Sequence, residues 1–206
     1  RSMKDWDILD SLRRSHGWTN RDMGAGGDCL FLSMAAQVNS SDVEMLPSRS
    51  EKWGLALGAD LGGQWEAGSL REKANLLRRI AMLEEAEFFE QLSKLRSSGE
   101  PLPADVEFRT REFYTDMAEE FISTNTTELA CNIPGWDLSS IYKKVRELNS
   151  TQSLEQKCEF VLRHAEQYME TTGRVGNWAG SSEMAALGYA LQRPVQAYGN
   201  NNVSDA

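Results

Sequence analysis

The chain has 206 residues, 40% of them hydrophobic, enough for one sizeable core or one core with a helical appendage. A formal net charge of −9 repels nucleic acid and anionic lipid and favours a basic partner or peptide, so nucleic acid and membrane surfaces are set aside as partners. No apolar run approaches the roughly 20 residues that span a bilayer, the opening RSMKDWDILD has no signal-peptide core, and the odd set Cys29, Cys131 and Cys158, without disulfide or zinc spacing, fits a reducing compartment.

In chain order, Trp6, Leu9, Leu12 and Arg13 share one helical face and predict a first helix ending near His16 and Gly17. A loop then leads into GAGGDCLFLSMAAQ, where Phe31, Met34, Ala35 and Val38 recur at helical spacing and put Cys29 in the first turn of a buried helix. From Asn39 to Gly68, Pro47 and a series of glycines break the pattern into loops and short helical pieces. A long helix is predicted over SLREKANLLRRIAMLEEAEFFEQLSKL, with Leu77, Ile80, Ala81, Phe88, Leu92 and Leu95 on one side and charges opposite; GEPLP stops it. Further helices are predicted over ADVEFRTREFYTDMAEEFIS, DLSSIYKKVREL and SLEQKCEFVLRHAEQYMETT, the last opened by Ser153 as N-cap. A glycine-rich loop, a helix from Ser181 or Ser182 to Leu191 and a strand over 194–198 follow, with Glu183 placed to support the amino end of that helix.

Cys29 is where residue types point to chemistry. A thiol at a helix amino terminus sits at the positive end of the macrodipole, and Gly24, Gly26 and Gly27 before it let backbone N–H groups converge on an anion. Nucleophile plus oxyanion donors is the layout of thiol acyl-transfer enzymes. The alternative is a small buried hydrophobe in a helix, the ordinary state of a cysteine. Cys131, before a Pro-Gly turn, and Cys158, in mid-helix, lack such a nest and read as structural.

The stretch GGDCLFLSMAAQ resembles the cysteine box of the OTU (ovarian tumour) deubiquitinases, GDGxCLFxAxA. NWAGSSEMAALGYALQRPVQAY is similar to their second box, WGGxxELxALAxxLxxxIxVY, with Trp178, Gly180, Glu183, Met184, Ala186, Leu187, Ala190, Leu191, Val195 and Tyr198 of the expected character. DILDSLRRSHGW looks like the family's lead-in helix. The resemblance covers about residues 8–38 and 165–198. It implies an α/β (α+β) papain-like OTU fold, predominantly helical here with a small sheet, in a single domain over 1–206 carrying an inserted helical arm within about 46–155. It implies thiol-dependent hydrolysis of the isopeptide bond after the C-terminal Gly-Gly of ubiquitin, polyubiquitin or a ubiquitin-like modifier. No cofactor or metal is implied, and the location is the cytoplasm, or the host cytosol for a delivered pathogen protein. Carried onto this chain, Cys29 is the nucleophile, Gly26, Gly27 and Asp28 form the oxyanion loop, and Trp178, Gly180 and Glu183 are supporting motif positions.

Two positions depart from the pattern. The family has Asp three residues before the cysteine, where this chain has Gly26; its acid is Asp28, whose charge would oppose a thiolate unless turned away or paired. The family's histidine follows the VxVY-like strand, whereas this chain has only His16 and His164. His164 reads as an exposed or satisfied helical histidine, and His16 as part of the lead-in and the remaining candidate base. The expectation is that residues beyond 206 complete the sheet and supply the histidine. The competing readings are a non-catalytic ubiquitin-binding or scaffold module and a plain helical interaction protein.

Overall fold

The computed structural model describes residues 27–123, 138–195, 197–198 and 203–204. The lead-in helix, His16, Gly24, Gly26 and Cys131 lie outside the described residues. Nine α-helices run through the described part: α1 (Cys29–Ala35), α2 (Ser40–Val43), α3 (Glu51–Leu57), α4 (Leu61–Ala67), α5 (Leu70–Ser98), α6 (Ala104–Ser123), α7 (Leu138–Thr151), α8 (Leu154–Thr172) and α9 (Ser181–Leu191), with a 3₁₀ turn at Leu46–Ser48.

Helix ends follow the local chemistry. Ser69 opens α5 as a capping box: its hydroxyl accepts the Glu72 N–H at 3.4 Å, and Glu72 accepts the Ser69 N–H at 2.8 Å. Ser153 and Gln156 do the same for α8. The α5 helix stops at Gly99, whose φ of 70° is the left-handed cap that glycine adopts without steric cost. Between Asn39 and Gly68, Pro47 and the glycines leave only α-helices of four to seven residues, α2 to α4.

Two apolar clusters share α5. Its amino-terminal half gives Leu77, Ile80 and Ala81 to a core closed by α1 to α4 and α9, where Phe31, Trp53, Leu61 and Leu187 are buried. Its carboxy-terminal half gives Phe88, Phe89 and Leu92 to a second core with α6, α7 and α8. Each such large side chain removed from water contributes about 1.5–3 kcal/mol, before the entropy of ordering the chain is set against it.

The structure corrects the expected fold class. The described residues form an all-α protein, not an α/β papain-like fold. Extended pairing among them is confined to a two-residue antiparallel ladder, β1 (Ala197–Tyr198) with β2 (Val203–Ser204), in which Ala197 faces Ser204 and Tyr198 faces Val203. A ladder of that length makes no layer for helices to pack on. The physical reason lies between the two boxes, where helix-favouring residues at a 3.6-residue period, closed by serine caps and glycine or proline stops, occupy the stretch a sheet would need. A second correction concerns α5: its charges do not all lie opposite the apolar side. Arg78, Glu84 and Glu85 are buried, at 2%, 4% and 0% exposure.

Candidate functional site around Cys29

Cys29 is the first residue of α1 and is half-buried. The first bond of the helix runs from the Leu32 N–H to the Asp28 carbonyl at 2.9 Å, so the N–H groups of the first turn have no acceptor within the helix. The Asp28 side chain does not cap them. It turns the other way: Oδ1 accepts from Arg78 Nη2 at 2.6 Å and from the Gly176 N–H at 2.9 Å. Burial raises the Asp28 carboxyl, but these two bonds and the guanidinium charge outweigh it and hold the group below its ordinary value. The acid beside the thiol is therefore paired with Arg78 and the Gly176 N–H.

Arg78 joins the two motif segments. Its guanidinium, reaching from the amino-terminal half of α5, also donates to the Asn177 carbonyl at 2.9 Å and to the Thr172 carbonyl, and lies 4.3 Å from the centre of the Phe31 ring. Gly27 is seated directly on the second segment. A Cβ there would lie 2.0 Å from the Gly176 carbonyl oxygen and 2.5 Å from the Asn177 carbonyl carbon, so this close backbone approach requires glycine.

The second segment is itself held from three helices. Gly180 is the N-cap of α9, and Glu183 in its first turn is fully buried, accepting the Gly180 N–H with one oxygen and the Tyr168 hydroxyl at 2.6 Å with the other. Asp116 on α6 accepts the Ser182 N–H at 2.9 Å and the Ser181 hydroxyl at 3.2 Å. Burial raises Glu183 and Asp116 above ordinary carboxylates, with the Asp116 charge adding to the effect on Glu183. Glu119, half-buried near Asp116, is pushed up to about 7 by burial first and that charge second. Trp178 stands 67% exposed beside this cluster.

Cys29 opens onto a cavity of about 520 Å³ lined by apolar side chains of α1 and α9, with Ser33, Gln37, Asp42 and Arg193 as its polar groups. Met184, Arg193, Pro194 and Val195 continue the wall into a second hollow of the same volume beneath Phe108 and Tyr189. Of the residues expected at the site, Gly27, Asp28 and Cys29 lie together against Gly176 and Asn177, Gly180 and Glu183 face Asp116 and Tyr168 instead, and Gly26 and His16 lie outside the described residues. His164 goes elsewhere: it is buried in the second core, with its ring centre 4.3 Å from Phe121 and 4.6 Å from Phe160. Cys158 is fully buried in the same core, where burial raises its thiol, and it is not a reactive group. Among the described residues no group of three His, Cys, Asp or Glu side chains is placed to hold a metal ion.

Sequence reasoning missed Arg78, Asp116 and Tyr168. A signal for Arg78 was present: it lies four residues after Ala74 and three before Ala81, on the buried face of α5, where an arginine needs a buried acceptor. Comparison with family models, curated proteins and solved structures gives no match to this chain.

Proposed function

We propose that this chain is a thiol-dependent deubiquitinase in which Cys29 attacks the carbonyl after the C-terminal Gly-Gly of ubiquitin. The observation that supports it best is the meeting of the two motif segments. Gly27 and Asp28 lie against Gly176 and Asn177, almost 150 residues further along the chain, through a contact that admits no side chain and through an Arg78 bridge. The reading rests on those two segments and the Cys29 cavity, and needs no papain-like sheet.

In this reading Sγ of Cys29 forms a bond to the glycine carbonyl carbon, and the negative charge moves to the carbonyl oxygen, which backbone N–H groups of the Gly27–Cys29 turn stabilise. The C–N bond then breaks, the lysine amine leaves with a proton from a general acid, and water hydrolyses the thioester to regenerate the thiol. His164 is committed to the second core, so the acid and base role falls to His16 or to a histidine beyond residue 206.

The second reading, a ubiquitin-binding module without turnover, is favoured by one observation: no described histidine approaches Cys29. Intact mass after incubation with ubiquitin bearing a C-terminal electrophile separates the two. A mass increase of one ubiquitin that vanishes in Cys29→Ala supports the enzyme, and loss of turnover in His16→Ala then assigns the base. Binding without an adduct supports the module. Neither binding nor adduct, from folded protein, sinks both.

A further inference from the structure

Three carboxyl groups meet where α5, α6, α8 and α9 converge. Asp116 and Glu183 use their oxygens on the first turn of α9 and on Tyr168. Glu85 differs: it is fully buried, and neither of its carboxyl oxygens has a hydrogen-bond partner. The charged and titratable groups that face it are Glu84 on its own helix, Arg109 and Asp116 on α6, Tyr168 on α8 and Glu183 on α9. The one cation in that set, Arg109, donates to Glu84 through Nη1 at 3.1 Å and is sandwiched between the rings of Phe88 and Tyr189, at 4.3 and 4.5 Å; its buried Nε and Nη2 have no hydrogen-bond partner, and neither bonds Glu85. A carboxylate with no donor, beside two other carboxylates, is costly enough that the group takes up a proton instead.

We propose that Glu85 is a buried proton latch on the second motif segment: as the neutral acid it lets α9 lie on α5 and α6, and once ionised it repels Glu183 and Asp116 and loosens the 177–183 turn. That turn carries Asn177 and Gly180 and lies against Gly27 beside the thiol, so the latch acts on the wall of the Cys29 site and not on the cysteine itself. Burial first, and the charges of Glu183, Asp116 and Glu84 after it, push the Glu85 carboxyl well above its ordinary value, with Arg109 pulling in the opposite direction.

The sign follows from linkage. A carboxyl raised in the folded state contributes stability that is fully present below its ordinary value of 4.5 and is lost as pH rises through the folded value. Over that window the folding constant falls by up to about tenfold per pH unit for one such group. Asp116 and Glu183 are raised too and add a slope of their own, so Glu85, with its coupling to them, is read from the difference between wild type and variants.

The test is denaturant unfolding of the full chain from pH 5 to pH 9, with amide exchange of residues 177–185 corrected for intrinsic rates. It compares wild type with Glu85→Gln, the neutral isostere, and Glu85→Leu, which removes the proton site. The expected result is a wild-type stability that falls with pH more steeply than either variant, and turn amides that lose protection at alkaline pH in wild type only. Equal slopes in the three proteins overturn the proposal. So does a flat wild-type profile, which decides the matter even where a variant does not fold.

Discussion

Around the carboxy-terminal half of α5 the core is built from rings: Phe113 stacks on Phe88 at 5.1 Å, tilts against Phe89 at 4.8 Å and meets Tyr168 edge-on at 6.0 Å, while Tyr114 and Phe121 flank Phe160. Around the amino-terminal half the helices are short, α1 to α4 each having seven residues or fewer, and polar bridges supplement the packing. Arg78 ties Asp28, Asn177 and Thr172 there, and the Trp53 indole donates to Glu87. Helices that short do not hold themselves together in water. Both cores bury large apolar side chains, but the ring core is held by stacked and edge-on aromatics, whereas the Cys29 side adds a few directional bonds and one backbone contact to its packing.

Replacing Phe113 by Ala breaks the comparison from the ring side. It removes three ring contacts at a fully buried position and is expected to cost about 3–5 kcal/mol in denaturant unfolding. A loss under about 1 kcal/mol would show that the stacked rings do not hold this core.

From the other side, Arg78→Ala removes the charged partner of Asp28, which keeps the Gly176 N–H, and leaves two backbone carbonyls without that donor; it is expected to cost about 2–3 kcal/mol. The pH dependence has a definite sign. Asp28 is held below its ordinary 3.8, so the wild-type advantage over Arg78→Ala is present above that value and is lost as pH falls through the lower folded value. A difference that stays constant down to strongly acid pH would mean that the guanidinium acts through the Thr172 and Asn177 carbonyls and its contact with Phe31, not through Asp28.

Gly27→Ala sharpens the comparison at the contact itself. The added methyl meets backbone atoms that cannot rotate away, and the expected cost is about 1–3 kcal/mol with faster alkylation of Cys29 as the two segments part. Unchanged stability and unchanged Cys29 labelling would place the two segments further apart than described.

What could be read from the sequence differs between the two regions for a physical reason. Ser69 and Gly99 bound α5, and Ser153 and Gly180 open α8 and α9, because caps and stops are local chemistry written within a few residues. The placement of Cys29 in the first turn of a buried helix was legible for the same reason. The fold class was not. The family boxes resemble those of an α/β protein, but they occupy two short segments, and more than 100 residues between them follow their own helical period. The partner of Asp28 was not legible either, since it comes from the amino-terminal half of a helix 50 residues away. His164 looks polar in sequence but is a ring in an aromatic core, which only the packing of α6 against α8 reveals.

The 29 residues of α5, at about 1.5 Å each, make a rod ~43 Å long that forms a wall of both cores. Helical turns propagate cooperatively along such a rod, and neither core keeps a complete wall once the other releases its half. Through this shared helix, loosening of either core bears on the other, and damage among the Phe113 rings is expected to reach the Arg78 end along α5.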